Sequence, residues 1–162
     1  MNISGFNTKN GCIGKPFFHI TETDEYERLV KFFIENELEY DAEDEVDTDV
    51  VTCYKVTYGN DRLAGACCLA KREGEFIIDG IAVDKDFRKH KIGKIMLDKL
   101  VSVTKKLGGS EIYLVARTPD FFRTYGFGTV DPKNAPNFFE CKHCDQYGET
   151  CHPEVMKYVI RD

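Results

Sequence analysis

The sequence IIDGIAVDKDFRKHKIG, residues Ile77–Gly93, decides how this chain is expected to fold. Its apolar first half lies within a stretch, Glu75–Val83, that is typical of a β-strand bordered by turn residues. Its second half is basic and opens a stretch from about Lys91 to Leu107, in which apolar residues recur at helical spacing before a Gly-Gly pair. These patterns predict a strand, a basic turn (residues 84–94) and an amphipathic helix in succession.

Basic side chains crowd this turn, namely Lys85, Arg88, Lys89, His90, Lys91 and Lys94. A helix N-terminus carries about half a positive charge, so each cation there costs ~0.3–1 kcal/mol unless an anion offsets it. Unpaired backbone N–H groups, the helix dipole and these cations together suit a phosphate group, and Gly93 allows a ligand to approach the backbone closely. The alternatives are a solvated basic face and a nucleic-acid patch, and the net charge of −6 disfavours the second.

The length of 162 residues predicts a single domain over residues 1–162, with a loose polar lead-in at 1–16 and a Cys-rich loop at 136–153. No apolar run approaches the ~20 residues that span a bilayer, and the N-terminus lacks the apolar core of a signal peptide. We therefore expect a cytoplasmic protein that binds neither a membrane nor nucleic acid. The sequence leaves the oligomeric state open, with a homodimer as one alternative.

The remaining segments predict a mixed α/β fold of the α+β type. A helix with N-caps among Thr21–Asp24 is expected to fade near Leu38, and it runs into an acidic stretch, Glu35–Asp49. The other expected elements are strands at residues 17–20, 50–58, 63–71, 111–116 and 155–160 and a short helix at residues 120–125. This order indicates a mostly antiparallel central sheet with helices packed on both faces.

Two motifs resemble those of the GNAT acyltransferase superfamily. The stretch Ile81–Lys94, IAVDKDFRKHKIGK, is similar to a strand ending in a hydrophobic-Ala-Val triplet, a short loop, and Arg/Gln-x-x-Gly-x-Gly/Ala at the start of a helix. Lys91 occupies the place where the first glycine is usual, so its ammonium group is a candidate phosphate contact. The stretch Thr118–Phe127, TPDFFRTYGF, resembles the family's short helix ending in Phe-Tyr-x-x-x-Gly-Phe. One helix and one strand separate the motifs, as in the family.

This resemblance implies a bacterial-type, single-domain GNAT N-acetyltransferase with acetyl-CoA as co-substrate. It implies direct attack by a primary amine through a tetrahedral intermediate, with a small-molecule acceptor such as a polyamine, an amino acid or an amine drug rather than a protein. Backbone groups at the end of the strand would hold the pantetheine arm, and N–H groups of residues 88–94 would cradle the pyrophosphate. The implied cofactor-binding residues are Ile81, Ala82, Val83, Arg88, Lys89, His90, Lys91, Ile92, Gly93 and Lys94.

The implied chemistry needs a base for the amine, an oxyanion donor such as a backbone N–H near Ile81, and help from an acid for the departing thiolate. Asp79 is the candidate base because it lies nearer the expected cofactor position than Glu75; the alternative is a strand carboxylate paired with a cation. The family often has a tyrosine where this chain has Phe122, so Tyr125 becomes the candidate acid, with a packed aromatic as the alternative. The loss of the usual tyrosine also leaves open a CoA-binding GNAT-fold module with weak or no transferase activity.

The Cys-rich loop contains a set of candidate zinc ligands, Cys141, His143, Cys144, Cys151 and His152. Zinc is not favoured over packed, reduced cysteines, because adjacent Cys151 and His152 are not a usual zinc knuckle. An odd total of seven cysteines without a secretion signal also indicates free thiols. The metal site is therefore left unknown.

Two features bear on the acceptor. Carboxylates are concentrated in Glu35–Asp49, which would attract a cationic amine or polyamine, and the alternative is a solvated acidic loop. The variant Thr-Pro-Asp-Phe-Phe, which begins at Thr118, also resembles the subset of the family that includes short N-acetylglutamate synthase-like proteins. This second likeness is an analogy at the level of the fold.

Overall fold

The computed structural model describes residues 18–36, 49–135 and 154–161 of the chain. Its strands are β1 (Phe18–Thr23), β2 (Asp49–Tyr58), β3 (Arg62–Arg72), β4 (Glu75–Val83), β5 (Glu111–Ala116), β6 (Gly128–Thr129) and β7 (Glu154–Val159). Its helices are α1 (Tyr26–Glu35), α2 (Ile92–Lys106) and α3 (Pro119–Tyr125), with 3₁₀ helices at Lys85–His90 and Pro132–Asn134. Among the described residues, no helix is both long enough and apolar enough to cross a membrane.

The described strands form a seven-stranded sheet in the order β1-β2-β3-β4-β5-β7-β6. Strand β1 runs antiparallel to β2, with Phe18 opposite Tyr58. Strand β7 is antiparallel to both β5 and β6, whereas β4 pairs with β5 in parallel, with Ile77 opposite Tyr113. The predicted fold class, a mixed and mostly antiparallel α/β arrangement, is thereby confirmed.

The chain divides into two compact units, and β3, β4 and α2 contribute residues to both. The first unit contains the described residues 18–36, 51–68 and 80–97. The second unit contains the described residues 49–50, 69–79, 98–135 and 154–161. A single domain over residues 1–162 stays a prediction.

The core of the first unit joins α1 to strands β2, β3 and β4. It contains large side chains of the helix and small side chains of the strands, namely Leu29, Phe32, Phe33, Cys53, Ala66, Cys68 and Ala82. Gly80 of β4 is required here, because a Cβ atom on it would lie 2.7 Å from the ring of Phe33, which is closer than real contacts allow. Helix α1 therefore packs directly on the part of β4 that leads into the basic turn.

The second unit has its own core around the beginning of β4 and β5. Ala70, Ile77 and Tyr113 form its buried cluster, on which Val130 and Ala135 pack. After α2, Gly108 has a φ of 87°, and the Gly109 N–H donates to the carbonyl oxygen of Thr104 at 2.9 Å. The Gly-Gly pair thus ends the helix, as the sequence predicts.

The described cysteines are reduced and buried, as expected. Cys53, Cys67 and Cys68 are not joined in disulfides. Burial raises the pKa of the Cys67 thiol, which keeps it protonated and unreactive. Together with their place in the strands, this makes them small apolar side chains of the core.

Two predicted element boundaries differ from the structure. Thr21–Asp24 do not supply the N-cap of α1, because residues 21–23 belong to β1 and pair with β2, and the helix begins after Glu25. The predicted helical pattern extends to about Leu107, whereas α2 ends at Lys106 and Leu107 is 55% exposed. In contrast, β4 and β5 have the predicted bounds residue for residue.

A charged cluster links the start of α1 to the turn between β2 and β3. Glu25 accepts hydrogen bonds from Lys55, Thr23 and Arg28, and Arg28 also pairs with Asp61 at 3.2 Å. The hydrogen bond from Lys55, followed by those from Thr23 and Arg28, lowers the pKa of Glu25 from its ordinary value of 4.5 to about 2. The cluster therefore favours the folded chain as long as Glu25 is ionised.

This cluster predicts a loss of stability in acid. Because the pKa of Glu25 is lowered in the folded chain, its contribution to the free energy of unfolding is present above pH 4.5 and is lost as the pH falls toward about 2. We expect the wild type to lose more thermal stability than E25Q between about pH 6 and about pH 3. E27Q, which removes another carboxylate of α1, is the matched control and should follow the wild type. Equal losses in the wild type and E25Q, measured by thermal unfolding, would contradict the role of the cluster.

Candidate active site

The basic turn begins where β4 ends, and hydrogen bonds define that point. The Asp84 N–H donates to the carbonyl oxygen of Ala64 on β3 at 2.8 Å. The Asp84 side chain accepts from the Asp86 N–H at 2.9 Å, and its carbonyl oxygen accepts from the Phe87 N–H at 2.9 Å. Asp84 therefore ends the strand and caps the 3₁₀ helix Lys85–His90.

Phe87 anchors this 3₁₀ helix in the first unit. Its ring is buried, and its centre lies 5.7 Å from that of Phe18 and 5.3 Å from that of Tyr58. The imidazole of His90 also packs on Phe18, with ring centres 5.3 Å apart. With the apolar ring inside, its basic neighbours are exposed, namely Lys85, Arg88, Lys89, His90 and Lys91.

Lys91 joins the 3₁₀ helix to α2 in a left-handed conformation, with φ 58° and ψ 26°. Its carbonyl oxygen accepts from the Ile95 N–H at 3.3 Å, so Lys91 immediately precedes the first turn of α2. Only glycine adopts this conformation without a steric cost, which explains why glycine is usual at this place in the motif. The first N–H groups of α2, including those of Ile92 and Gly93, have no acceptor within the helix.

The first turn of α2 is held close to the strands of the first unit. Ile92 and Met96 are buried, and a Cβ atom on Gly65 would lie 2.9 Å from Ile92 Cγ2 and 3.3 Å from the carbonyl oxygen of Ala82. The absence of a side chain at Gly65 therefore allows the helix to approach β3 and the end of β4. The N-terminus of a 15-residue helix is in this way placed beside the basic turn.

The structure brings the predicted cofactor-binding residues together in the first unit. Residues 81–83 end β4, and the Val83 carbonyl oxygen accepts from Arg88 Nε at 3.4 Å. Residues 88–94 form the end of the 3₁₀ helix, the left-handed link and the first turn of α2. This segment suits a pyrophosphate, because it offers helix N–H groups and several cations, and because Gly93 has no side chain to block the ligand. The residues present therefore fit the phosphates of acetyl-CoA.

Asp79, the candidate base, lies on β4 in the second unit. Its carboxylate is 3.9 Å from the guanidinium group of Arg72 on β3, and the side chains of Arg72 and Asp79 are only 2% and 11% exposed. Each charge therefore has an opposite charge nearby in a place with little water. This arrangement agrees with the alternative of a strand carboxylate paired with a cation, and a role as base stays a prediction.

Tyr125, the candidate acid, ends α3 in the second unit. Its O–H donates to Asp98 Oδ1 at 2.8 Å, and its ring centre lies 6.0 Å from that of Phe127 and 5.3 Å from that of Tyr158. Burial, followed by the hydrogen bond to Asp98, raises the pKa of Tyr125. The phenol is therefore protonated at neutral pH and is a weak proton donor. A role as acid stays a prediction.

Phe122 lies in the core, and its phenyl ring has no proton to donate. Its side chain is 8% exposed, and its ring centre is 5.7 Å from that of Phe127. The Phe127 N–H donates to the Phe122 carbonyl oxygen at 2.9 Å, which closes α3 at Gly126, where φ is 128°. A Cβ atom on Gly126 would lie 3.1 Å from the ring of Tyr158, so the glycine of the motif is also needed for packing.

Several partners of these residues were not found by sequence reasoning. Asp98 lies 27 residues before Tyr125. Arg62, which contacts the basic turn at Asp86, lies 24 residues before Asp86. Such pairs join separate elements, so no local pattern reveals them. Arg72 precedes Asp79 across a hairpin, and the alternation of the two strands is the signal that could have suggested that pair.

The metal prediction falls on residues outside the described part of the chain. No group of three or more potential metal ligands is found among residues 18–36, 49–135 and 154–161. The lead-in, most of the acidic stretch and the Cys-rich loop, with Cys141, His143, Cys144, Cys151 and His152, all lie outside these ranges. That zinc is not favoured stays a prediction.

A known protein family matches most of the chain. The model of the Acetyltransferase (GNAT) family matches residues 16–127 of the chain. No curated protein is significantly similar to the chain in sequence.

Solved structures share the fold at low sequence identity. A GNAT-family acetyltransferase from Staphylococcus aureus Mu50 has a TM-score of 0.64 and 17% identity, covering 89% of this chain and 99% of that one. The ribosomal-protein-S18-alanine N-acetyltransferase from Escherichia coli has a TM-score of 0.63 and 15% identity, covering 90% and 96%. N-acetylglutamate synthase from Neisseria gonorrhoeae, complexed with coenzyme A and N-acetyl-glutamate, has a TM-score of 0.67 and 14% identity, covering 90% of this chain and 36% of that one.

The left-handed link predicts how Lys91 can be replaced. K91G and K91A both remove the ammonium group, but only glycine relieves the backbone, so K91G should be more stable than K91A by about 1 kcal/mol. For a chain of this length, that corresponds to about 2–4 °C in the midpoint of thermal unfolding. Both variants should bind CoA equally weakly, because they lack the same charge. If K91A is as stable as K91G, the left-handed conformation is wrong.

Proposed function

Because the chain belongs to the GNAT acetyltransferase family, we propose that it transfers the acetyl group of acetyl-CoA to a primary amine of a small molecule, such as a polyamine, an amino acid or an amine drug. As a family member it is an acetyl-CoA-dependent N-acetyltransferase. In the proposed reaction the amine attacks the thioester carbonyl directly and passes through a tetrahedral intermediate.

The basic turn is the observation that carries this proposal. Residues 88–94 form one continuous segment that contains exposed cations of the 3₁₀ helix, the left-handed Lys91 and the first N–H groups of α2. Arg88 and Lys91 supply charge, while Ile92 and Gly93 supply backbone N–H groups for the pyrophosphate. The complex of coenzyme A with N-acetylglutamate synthase, which shares the fold, supports CoA as the ligand.

The chain's own residues are assigned three roles. Asp79, two residues before Ile81 on β4, accepts a proton from the acceptor ammonium group so that the amine can attack. A backbone N–H near Ile81 donates to the developing oxyanion. Tyr125, whose O–H is held by Asp98, is the proposed proton donor to the leaving thiolate. When bound, acetyl-CoA supplies an acyl group that is already activated as a thioester.

The acceptor is proposed to be a small cationic amine. The chain has a net charge of −6, and carboxylates are concentrated in Glu35–Asp49, which favours a cation over an anion near that stretch. The resemblance of the segment beginning at Thr118 to N-acetylglutamate synthase-like proteins supports an amino acid as one member of this class. The named E. coli neighbour acts on an alanine of a ribosomal protein, and a protein acceptor is the competing possibility.

A second candidate function follows from Phe122. This side chain is buried at the place where the family often has a tyrosine, and the nearby Tyr125 phenol has a raised pKa. Both features reduce the acid assistance available to the leaving thiolate. The second candidate is therefore a GNAT-fold module that binds CoA with weak or no acetyl transfer.

Reversing the charge of the basic turn tests cofactor binding. R88E/K91E should weaken CoA binding by at least about tenfold, because two cations are replaced by anions beside the phosphates. K105E/K106E makes the same change of net charge in the last turn of α2 and should leave CoA affinity near that of the wild type. Isothermal titration calorimetry measures the CoA affinity of both double variants. Unchanged affinity in R88E/K91E would refute the phosphate site.

A turnover assay tests the base and separates the two candidate functions. The protein is incubated with acetyl-CoA and a panel containing a polyamine, amino acids and an amine drug, and release of free thiol is followed. We expect turnover on at least one amine, and a fall in kcat of about 100-fold or more in D79N with CoA affinity unchanged. E75Q, on the same strand, is the matched control and should retain its activity.

The alternative outcomes of this assay are distinct. Binding of acetyl-CoA without turnover on any amine would favour the CoA-binding module. A large loss in E75Q together with a small one in D79N would show that Asp79 is not the base. Thermal unfolding of D79N is measured in parallel, because the variant leaves Arg72 without this carboxylate.

A further inference from the structure

Arg62, at the start of β3, contacts the basic turn at three points. Its guanidinium group lies 2.7 Å from Asp86 Oδ2 and 3.9 Å from Asp84 Oδ1. Its Cζ atom lies 4.8 Å from the centre of the Phe87 ring. One side chain of β3 therefore contacts Asp84, which caps the 3₁₀ helix Lys85–His90, and also contacts Asp86 and the buried Phe87 within that helix.

The two carboxylates are unexpected in a turn that binds an anion. Asp84 is needed locally, because it caps the 3₁₀ helix by accepting from the Asp86 N–H. Both acids are only a few residues from Arg88 and Lys91, which are proposed to contact phosphate. Without a partner, they would repel a bound phosphate and compete with it for the same cations.

The contacts of Arg62 contribute little to folding. The side chains of Arg62 and Asp86 are 55% and 58% exposed, and exposed ion pairs add little to the stability of a protein. A guanidinium group is nevertheless suited to this place, because it stays charged and can pair with carboxylates while stacking on a ring face. Its effect on the charge of the turn therefore explains its position better than an effect on stability.

We propose that Arg62 is a positioning residue for the phosphates of the co-substrate. It neutralises Asp84 and Asp86 and draws them toward β3, so that the turn presents cations and N–H groups to the anion. This inference rests on the proposed function, because it requires that the basic turn binds CoA. It adds to the site a residue that lies outside the motif, 24 residues before Asp86.

A double-mutant cycle with Asp86 tests the proposal. R62A should weaken CoA binding about fivefold at low ionic strength, because a cation is lost and two carboxylates are released. The CoA affinity of R62A/D86N should lie within about twofold of that of D86N, because both variants lack the carboxylate that lies nearest to Arg62. The difference between R62A and the wild type should shrink at high salt. Isothermal titration calorimetry with CoA at both salt concentrations measures the four proteins.

Controls separate this role from damage to the fold. R28A removes another arginine of the first unit, which pairs with Glu25 and Asp61, and should bind CoA like the wild type. R62Q, which keeps a long polar side chain, takes the place of R62A in the cycle if thermal unfolding shows that R62A is poorly folded. If Arg62 has a purely structural role, D86N should not restore the CoA affinity that R62A loses.

Two outcomes would overturn the role of Arg62. One is unchanged CoA affinity in R62A, and the other is an equal loss of affinity when Arg62 is replaced with and without D86N. If R88E/K91E still shows its loss of CoA binding, only the inference about Arg62 fails. If R88E/K91E also binds CoA normally, the proposed cofactor site fails as well.

Discussion

The hydrogen bond from the Asp84 N–H to the Ala64 carbonyl oxygen determines where β4 ends. The residue that makes this bond also caps the 3₁₀ helix, so the end of the strand and the start of the basic turn depend on one residue. Phe87 then buries its ring, and Lys91 leads into α2 in a left-handed conformation. These residues connect the end of β4 to the start of α2.

The same geometry concentrates positive charge at an unfavourable place. Arg88, Lys91 and their exposed basic neighbours lie at or just before the N-terminus of α2, where each cation costs ~0.3–1 kcal/mol without an anion. The left-handed Lys91 adds about 1 kcal/mol of backbone strain. A segment that binds nothing gains no stability from either feature, whereas a bound phosphate offsets the first directly. These local costs are the physical argument that the turn is shaped for a ligand.

The sequence was sufficient where a pattern is local. Strand β4 has its predicted bounds because its apolar run is bordered by Gly74 and by the basic turn, and the Gly-Gly pair correctly ends α2. The predicted end of β1 is wrong because pairing with β2 outweighs the capping preference of Thr21 and Thr23. The sequence does not predict the left-handed conformation of Lys91, since lysine is not a residue that signals such a turn. Contacts between distant residues in the sequence, such as Arg62 with Asp86, have no local signal at all.

The raised pKa of Tyr125 bears on how the acetyl-transfer step is driven. A thiol has an ordinary pKa near ~8.5, below that of a phenol even before burial and Asp98 raise the latter. Proton transfer from Tyr125 to a departing thiolate is therefore uphill, and the thiolate is already a tolerable leaving group without it. With Phe122 in the core and the pKa of Tyr125 raised, the proposed reaction gains little from acid assistance. In the proposed reaction, the acceleration then depends on deprotonating the amine and stabilising the oxyanion, the roles proposed for Asp79 and for a backbone N–H near Ile81.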